Sequence, residues 1–264
     1  MNKVIVILGQ TATGKSDLAV KIAKLVNGEV ISADSRQVYI GLDIGTGKIT
    51  TKEMQGIPHH LLSVVKTKNK FSVGEYKKLA EEKIEEIISR SKTPIICGGT
   101  GFYIDAVTRG MILPDVPPNL KLRKNLDKKS NTELFKMLKK LDNKRAQNID
   151  KNNKVRLIRA IEIAKILGKV PELVEIKPNY KFIKIGLYLP TPKLQKSVEA
   201  RVKKMFKNGL LKEIFEYNEP TEDKVIKETI KYAKRQMTWF KRDKKIKWFD
   251  SSKLKTKEVL KFFN

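Results

Sequence analysis

Among 264 residues there is one cysteine, Cys97, and only two histidines, the adjacent pair His59-His60. A single thiol excludes an intrachain disulfide framework and fits a reducing compartment, so a cytoplasmic location is expected. So few His and Cys donors also exclude a zinc site of the usual kind. Long apolar runs are missing: none approaches the ~20 residues of a membrane helix, and the opening residues lack the pattern of a secretory signal. No membrane partner is therefore expected. Carboxylates are scarce against bases, 29 Asp and Glu facing 56 Lys and Arg for a formal charge of +27. A lysine-favouring base composition would explain abundant lysine, but it would bring glutamate with it. The imbalance points instead to a polyanionic partner, nucleic acid ahead of membrane.

The most informative stretch that is present is Gly9-Gln10-Thr11-Ala12-Thr13-Gly14-Lys15-Ser16. It follows the apolar run Val4–Leu8 and leads into an amphipathic segment with Leu18, Ala19, Ile22, Ala23 and Val26. Strand, glycine-bounded loop, Lys-Ser and helix together make G-x-x-x-x-G-K-[ST] a phosphate cradle. The glycines let backbone N–H groups turn inward, and the helix N-terminus adds its positive dipole end. Lys15 can reach the outer phosphates, and the Ser16 hydroxyl is placed to ligate Mg²⁺. The loop alone does not say which phosphate compound it holds.

The pattern predicts a strand over residues 3–8, a helix over 15–26 and a second strand over 29–33 ending at Asp34-Ser35-Arg36-Gln37. A carboxylate at a strand's carboxyl end beside a phosphate loop sits where open α/β sheets build their sites, although an aspartate there can also simply cap a turn. Residues 41–70 read as an irregular surface excursion, with His59-His60 as loop packing. Ser72 and Glu75 form a capping-box pattern before a helix, and residues 93–97 a third strand. Gly98-Gly99-Thr100-Gly101 at that strand's end fits close approach to a ligand or a tight structural turn equally well.

Pro114, Pro117 and Pro118 mark a stiff boundary, beyond which helices without strands are expected. Residues 119–181 carry 18 Lys/Arg and 7 Asp/Glu, a net of +11. Arg156 and Arg159, three apart on one helix, could clamp a phosphate or form a solvated face. A strand is predicted over 182–189, a helix closing near Gly209, a long helix over about 225–240 and a last strand over 246–249. Between 224 and 247 there are ten Lys/Arg against two carboxylates. The fold class is thus α/β: a P-loop NTPase-like parallel sheet core from 1–113 and 182–264, and an inserted basic all-helical domain over 114–181.

Further stretches occur in order: ISADSRQVYIGLDIGTGK at 31–48, GIPHH at 56–60, FSVGEY at 71–76, GGTGFYI at 98–104, LPDVP at 113–117, RLIRAIEI at 156–163 and YAKRQMTWF at 232–240. With the phosphate loop they make nearly the whole chain resemble the tRNA dimethylallyltransferases, also called tRNA isopentenyltransferases. The loop is shared by many families; DSRQVY followed by AKRQMTW is specific to this one. The resemblance implies transfer of a dimethylallyl group from dimethylallyl diphosphate to N6 of an adenine beside the anticodon. Residues 9–16 would then hold the donor's diphosphate with Mg²⁺ on Ser16. Asp34, Thr100 and Lys15 would be catalytic, Asp34 as general base. The tRNA anticodon stem-loop would lie on Asp34, Ser35, Arg36, Gln37 and Thr100, on Arg123 and Val155-Arg156-Leu157-Ile158-Arg159 of the insertion, and on Lys234 and Arg235. Tyr39, Phe102 or Trp239 could stack on the base, with core packing the expected role for Trp239. A monomer is expected for an enzyme that clasps one RNA.

The sequence also departs from the family pattern. A frequent arginine after the returning strand is absent from Tyr188–Lys193, a second is Ser197, and Lys193 or Lys196 could serve as point charges instead. An aspartate position is Ser63, and a family RNA-contacting segment is missing around 217–225. These departures keep open a non-catalytic tRNA-binding relative. A small-molecule or nucleotide kinase, or a prenyltransferase of free adenine nucleotides, would leave the basic insertion without a purpose.

Overall fold

The protein is described by a computed structural model covering residues 2–214 and 220–263. Its first compact unit comprises residues up to Gly110 and from Lys177 onward. Its elements are β1 (Lys3–Gly9), α1 (Lys15–Leu25), β2 (Gly28–Ser32), α2 (Thr51–Met54), β3 (His59–His60), α3 (Val73–Ser89), β4 (Thr93–Gly98) and α4 (Gly101–Thr108). The second unit, Met111–Ile176, holds β5 (Met111–Ile112), α5 (Leu120–Asp127), α6 (Asn131–Leu141), α7 (Asn143–Gln147), α8 (Lys154–Leu167) and β6 (Val174–Glu175). The first unit then resumes with β7 (Lys181–Tyr188), α9 (Thr191–Lys207), α10 (Leu210–Glu213), α11 (Glu222–Phe240), β8 (Lys247–Asp250) and α12 (Thr256–Leu260).

The sheet of the first unit is parallel throughout, in the order β3-β2-β4-β1-β7-β8. A central parallel strand is covered on both faces, which is why β1 reads as an unbroken apolar run. Its residues alternate sides with period two. Val4, Val6 and Leu8 pack with Ile84, Ile104 and Phe240, whereas Ile5 and Ile7 pack with Leu18 and Ile22. The chain leaves β1 toward β2 on one side, and β7 later pairs on the other. That reversal opens a crevice at the carboxyl ends of the strands.

The insertion has its own core of Leu126, Leu134, Leu138, Leu157 and Ile161. Leu138 is fully buried, so truncating it to alanine would cost about 2–5 kcal/mol. The Ser130–Glu133 capping box forms in both directions, as does Ser72–Glu75. Two expectations are corrected here. The insertion is helical apart from one antiparallel pair, Met111–Ile112 with Val174–Glu175, and its edges fall at 110/111 and 176/177. The pair joins the two ends of the insertion, a long-range contact that no local pattern signals. The second correction concerns 41–70, which contains α2 and β3. His59 and His60 pair with Val30 and Ile31 as the edge strand. The shortened stretch expected around 217–225 falls partly on 215–219, outside the described residues; α11 begins at Glu222, capped by Thr221. None of the helices is long and apolar enough to cross a membrane, among the described residues.

Candidate active site

The crevice above β1, β2 and β4 is a cavity of about 540 Å³. One wall is the phosphate loop, Thr11 to Ser16 with Asp17. Gly9 at its root has φ +134, and a Cβ there would stand 2.1 Å from the Leu187 carbonyl oxygen, so only glycine lets β1 and β7 lie this close. Gly14 adopts the left-handed conformation that starts α1. The Thr13 hydroxyl donates to the Gln10 carbonyl at 2.8 Å, and the Lys15 ammonium donates to the same oxygen at 2.5 Å. Burial lowers the Lys15 pKa to about 8, so its proton is loosely held until an anion arrives. Gly9 and Gln10 shape the loop without lining the cavity, whereas Ser16 lines it.

Asp34 also lines the cavity, with Gln37. Its Oδ1 accepts the backbone N–H groups of Arg36 at 2.8 Å and Gln37 at 3.3 Å. The carboxylate therefore both caps its turn and faces the cavity. Thr100, at the start of α4, accepts the Ser35 N–H at 2.9 Å and so holds that turn from behind. Ser35, Arg36 and Thr100 are not among the lining residues, and Arg36 is exposed. Of the glycines at the end of β4, Gly98 and Gly99 line the cavity, yet the tightest approaches come from the chain itself. A Cβ on Gly98 would meet Ala33 O at 2.2 Å, one on Gly99 the Gln236 amide at 2.1 Å, and one on Gly101 the Trp239 ring at 2.2 Å. Trp239 donates to Asp105 at 2.9 Å and packs against the core, as expected for it.

Much of the remaining wall comes from the stretch expected to be a mere surface excursion: Asp43, Ile44, Thr46 to Thr50, and Glu53. Gln37 Nε2 donates to the carbonyls of Thr46 and Gly47, each at 3.3 Å. The Glu213 carboxylate of α10 fastens this loop by accepting three backbone N–H groups, from Asp43 at 2.8 Å, Ile44 at 2.6 Å and Gly45 at 2.8 Å. Lys48 pairs with Asp43 and donates to the Ser63 hydroxyl at 2.7 Å, so the hydroxyl at the departing position still has a partner.

An arginine that the motifs did not suggest lines the cavity. Arg201 of α9 reaches the cavity, donating to the Thr11 hydroxyl at 3.1 Å and to the carbonyls of Thr46 and Gly47 at 3.4 and 3.3 Å. Ser197, one turn earlier, donates to the Ala12 carbonyl at 2.7 Å. Lys193 is not a substitute: its ammonium donates to Ser252 at 2.9 Å, and neither it nor Lys196 lines the cavity. Tyr232 and Gln236 of α11 also line the site and were missed, although they lie in the YAKRQMTWF stretch. Their i, i+4 spacing on a basic helix was the available signal.

In the insertion, the expected RNA-facing segment divides. Leu157 is fully buried and Ile158 is 8% exposed, so their side chains belong to the core of the insertion. Arg123 forms a two-pronged pair with buried Glu162, at 2.9 and 2.6 Å. Arg159 reaches Glu162 at 2.5 Å and the Val116 carbonyl at 2.9 Å, so it is not half of a free clamp with Arg156. Burial pushes the Glu162 carboxyl up, but these arginines and the Asn119 N–H more than reverse that and hold it at about 2. Val155 and Arg156 are the exposed members. Lys234 and Arg235 are exposed on α11, Arg235 stacking over Tyr232 at 5.8 Å.

Comparison with known proteins agrees with the geometry. A family model described as IPP transferase matches residues 37–223. A tRNA dimethylallyltransferase of Caldanaerobacter subterraneus subsp. tengcongensis is 40% identical, over 98% of this chain and 95% of its own length. One from Halothermothrix orenii is 37% identical, over 94% and 87%. The crystal structure of the tRNA isopentenylpyrophosphate transferase of Bacillus halodurans superposes with a TM-score of 0.71 at 33% identity, covering 99% of this chain and 94% of that one. A eukaryotic dimethylallyltransferase captured acting on tRNA superposes with a TM-score of 0.78 at 26% identity, covering 95% and 74%. The chain belongs to the IPP transferase family, the tRNA dimethylallyltransferases, and is a prenyltransferase that modifies tRNA.

Proposed function

We propose that the enzyme takes the dimethylallyl group from dimethylallyl diphosphate and delivers it to N6 of the adenine beside the tRNA anticodon. The observation that carries this reading is a single cavity lined by the phosphate loop, Arg201 and Asp34 together. The loop amides, Lys15 and Arg201 bind the diphosphate and stabilise the charge that grows as the allylic C–O bond breaks. The N6 nitrogen forms the new C–N bond, and Asp34 accepts the N6 proton, so the amine ends neutral and the diphosphate leaves as an anion. Thr100 keeps the Asp34 turn in place through the Ser35 N–H.

The residues fit a Mg²⁺ ion held with the diphosphate. Ser16 lines the cavity next to Lys15, and no cluster of three His, Cys, Asp or Glu exists among the described residues to make an all-protein cage. Magnesium commonly takes few protein ligands and completes its shell with phosphate oxygens and water. When bound there, it would neutralise charge on the departing diphosphate.

The adenine must leave its stack to reach the cavity, at a cost of a few kcal/mol, and backbone contacts from exposed bases such as Arg156, Lys234 and Arg235 supply the compensating binding energy. Mass spectrometry of tRNA nucleosides after incubation with protein, donor and Mg²⁺ tests the reaction, with N6-dimethylallyl-adenosine expected. Asp34→Asn should abolish product and retain tRNA affinity. Full turnover in that variant would remove Asp34 from the mechanism.

A further inference from the structure

Among the described residues, Gln236 bonds directly to both the phosphate loop and the turn after β4. It projects from α11 between the phosphate loop and the turn after β4, and is 5% exposed. Its Oε1 accepts the Thr11 N–H at 2.7 Å, and its Nε2 donates to the Gly99 carbonyl at 3.0 Å. One partner needs an acceptor and the other a donor, a pair of demands that a carboxamide meets and that neither a carboxylate nor an apolar side chain does. The space is equally specific, because a Cβ on Gly99 would stand 2.1 Å from Nε2. One turn earlier, Tyr232 lines the same cavity.

The geometry points to Gln236 as a positioning residue for the donor loop: by engaging the Thr11 amide it fixes the loop so that the other amides and Lys15 face the diphosphate. This rests on the proposed reading that the loop holds the donor's diphosphate. Gln236 acts through Thr11 and not on the substrate. A buried amide whose partners are removed leaves Thr11 N–H and Gly99 O unpaired, and the loop must move to re-pair them.

Inorganic pyrophosphate, titrated by calorimetry, is the probe. Gln236→Met keeps length and volume but loses both bonds, and should bind pyrophosphate about tenfold or more weakly, with tRNA affinity unchanged. In Gln236→Glu, one oxygen still accepts from Thr11 while the other opposes the Gly99 carbonyl. Protonation turns that second oxygen into a donor and restores the pair. Affinity relative to the unaltered protein should therefore recover as pH falls from about 8 to about 5.5, the range in which a buried carboxyl of this kind titrates. Lys15, Asp17, Asp34, Asp43, Lys48, Glu53, Cys97, Arg201, Lys204 and Tyr232 line the same cavity, so each variant is compared with the unaltered protein at the same pH. Unchanged pyrophosphate affinity in Gln236→Met with a lowered Tm would reduce Gln236 to a packing residue, and a pH-independent ratio in Gln236→Glu would overturn the proposal as well. Pyrophosphate binding without any modified nucleoside in the unaltered protein would sink the proposed reaction and still decide Gln236. No pyrophosphate binding at all by the unaltered protein would overturn both.

Discussion

Gly47→Ala is expected to weaken donor binding by displacing Arg201, although Gly47 itself is assigned no contact with the donor. Gly47 sits at φ +59, and a Cβ there would lie 1.6 Å from Arg201 Nη2 and 2.6 Å from Cζ. Nothing tolerates such distances, so either the loop or the guanidinium must move. The loop is fastened by three N–H bonds to Glu213, whereas the guanidinium is the far end of a flexible side chain held by single bonds of 3.1 to 3.4 Å. The guanidinium therefore yields. Holding alanine in the left-handed region costs about 1–2 kcal/mol of stability. Removing a charged donor from the diphosphate costs about 1.5–3 kcal/mol, or roughly 10- to 150-fold in affinity. Calorimetry with dimethylallyl diphosphate and a melting curve separate the two effects. A cycle with Arg201→Met makes the argument sharper: once the guanidinium is gone, adding Gly47→Ala should change donor affinity little further. Additive losses, or Gly47→Ala binding donor like the unaltered protein, would refute the claim that Gly47 matters through Arg201.

Donor affinity should fall as pH rises through about 8, where the buried Lys15 of the free protein loses its proton, and a flat profile would show that Lys15 does not pair with the diphosphate. Stability from this group runs the other way: an unfolded lysine titrates near 10.5, so between about 8 and 10.5 the unfolded chain holds more protons and the Lys15 contribution rises with pH. Arg156→Ala should weaken tRNA binding and lower the salt dependence by about one counterion, while Arg159→Ala should mainly lower Tm because it strips a partner from buried Glu162; filter binding at several salt concentrations distinguishes them. Burial raises the Glu29 carboxyl, but Lys92, His60 and Arg90 outweigh it and hold it at about 2. Its folded pKa is depressed, so its stabilisation is present above about 4.5 and is lost as pH falls toward about 2, and Glu29→Gln should flatten the acid limb of the stability profile.

The sequence alone determined the elements whose cause is local. The phosphate loop was legible because its glycines, Lys15 and Ser16 are contiguous and its flanks announce strand and helix. The Ser72–Glu75 capping box followed from its S-x-x-E spacing and the parallel core and helical insertion from periodicity, and the ordered motifs carried the family. Tertiary structure decided everything that depends on which distant groups meet. The resemblance marked Leu157 and Ile158 for RNA, and only the fold showed both side chains packed in the core of the insertion. Arg123 looked free because Glu162 lies on another helix, whereas the i, i+3 spacing of Arg159 and Glu162 was there to be read. The 41–50 stretch looked like a surface excursion because its ties are to Gln37, Arg201 and Glu213. Arg201 itself could not be found by looking where family arginines stand, since what matters is the direction of a side chain from α9, two turns beyond Lys193. A chain records its own propensities residue by residue, but a cavity wall is assembled from side chains brought together by packing, and no local pattern carries that information.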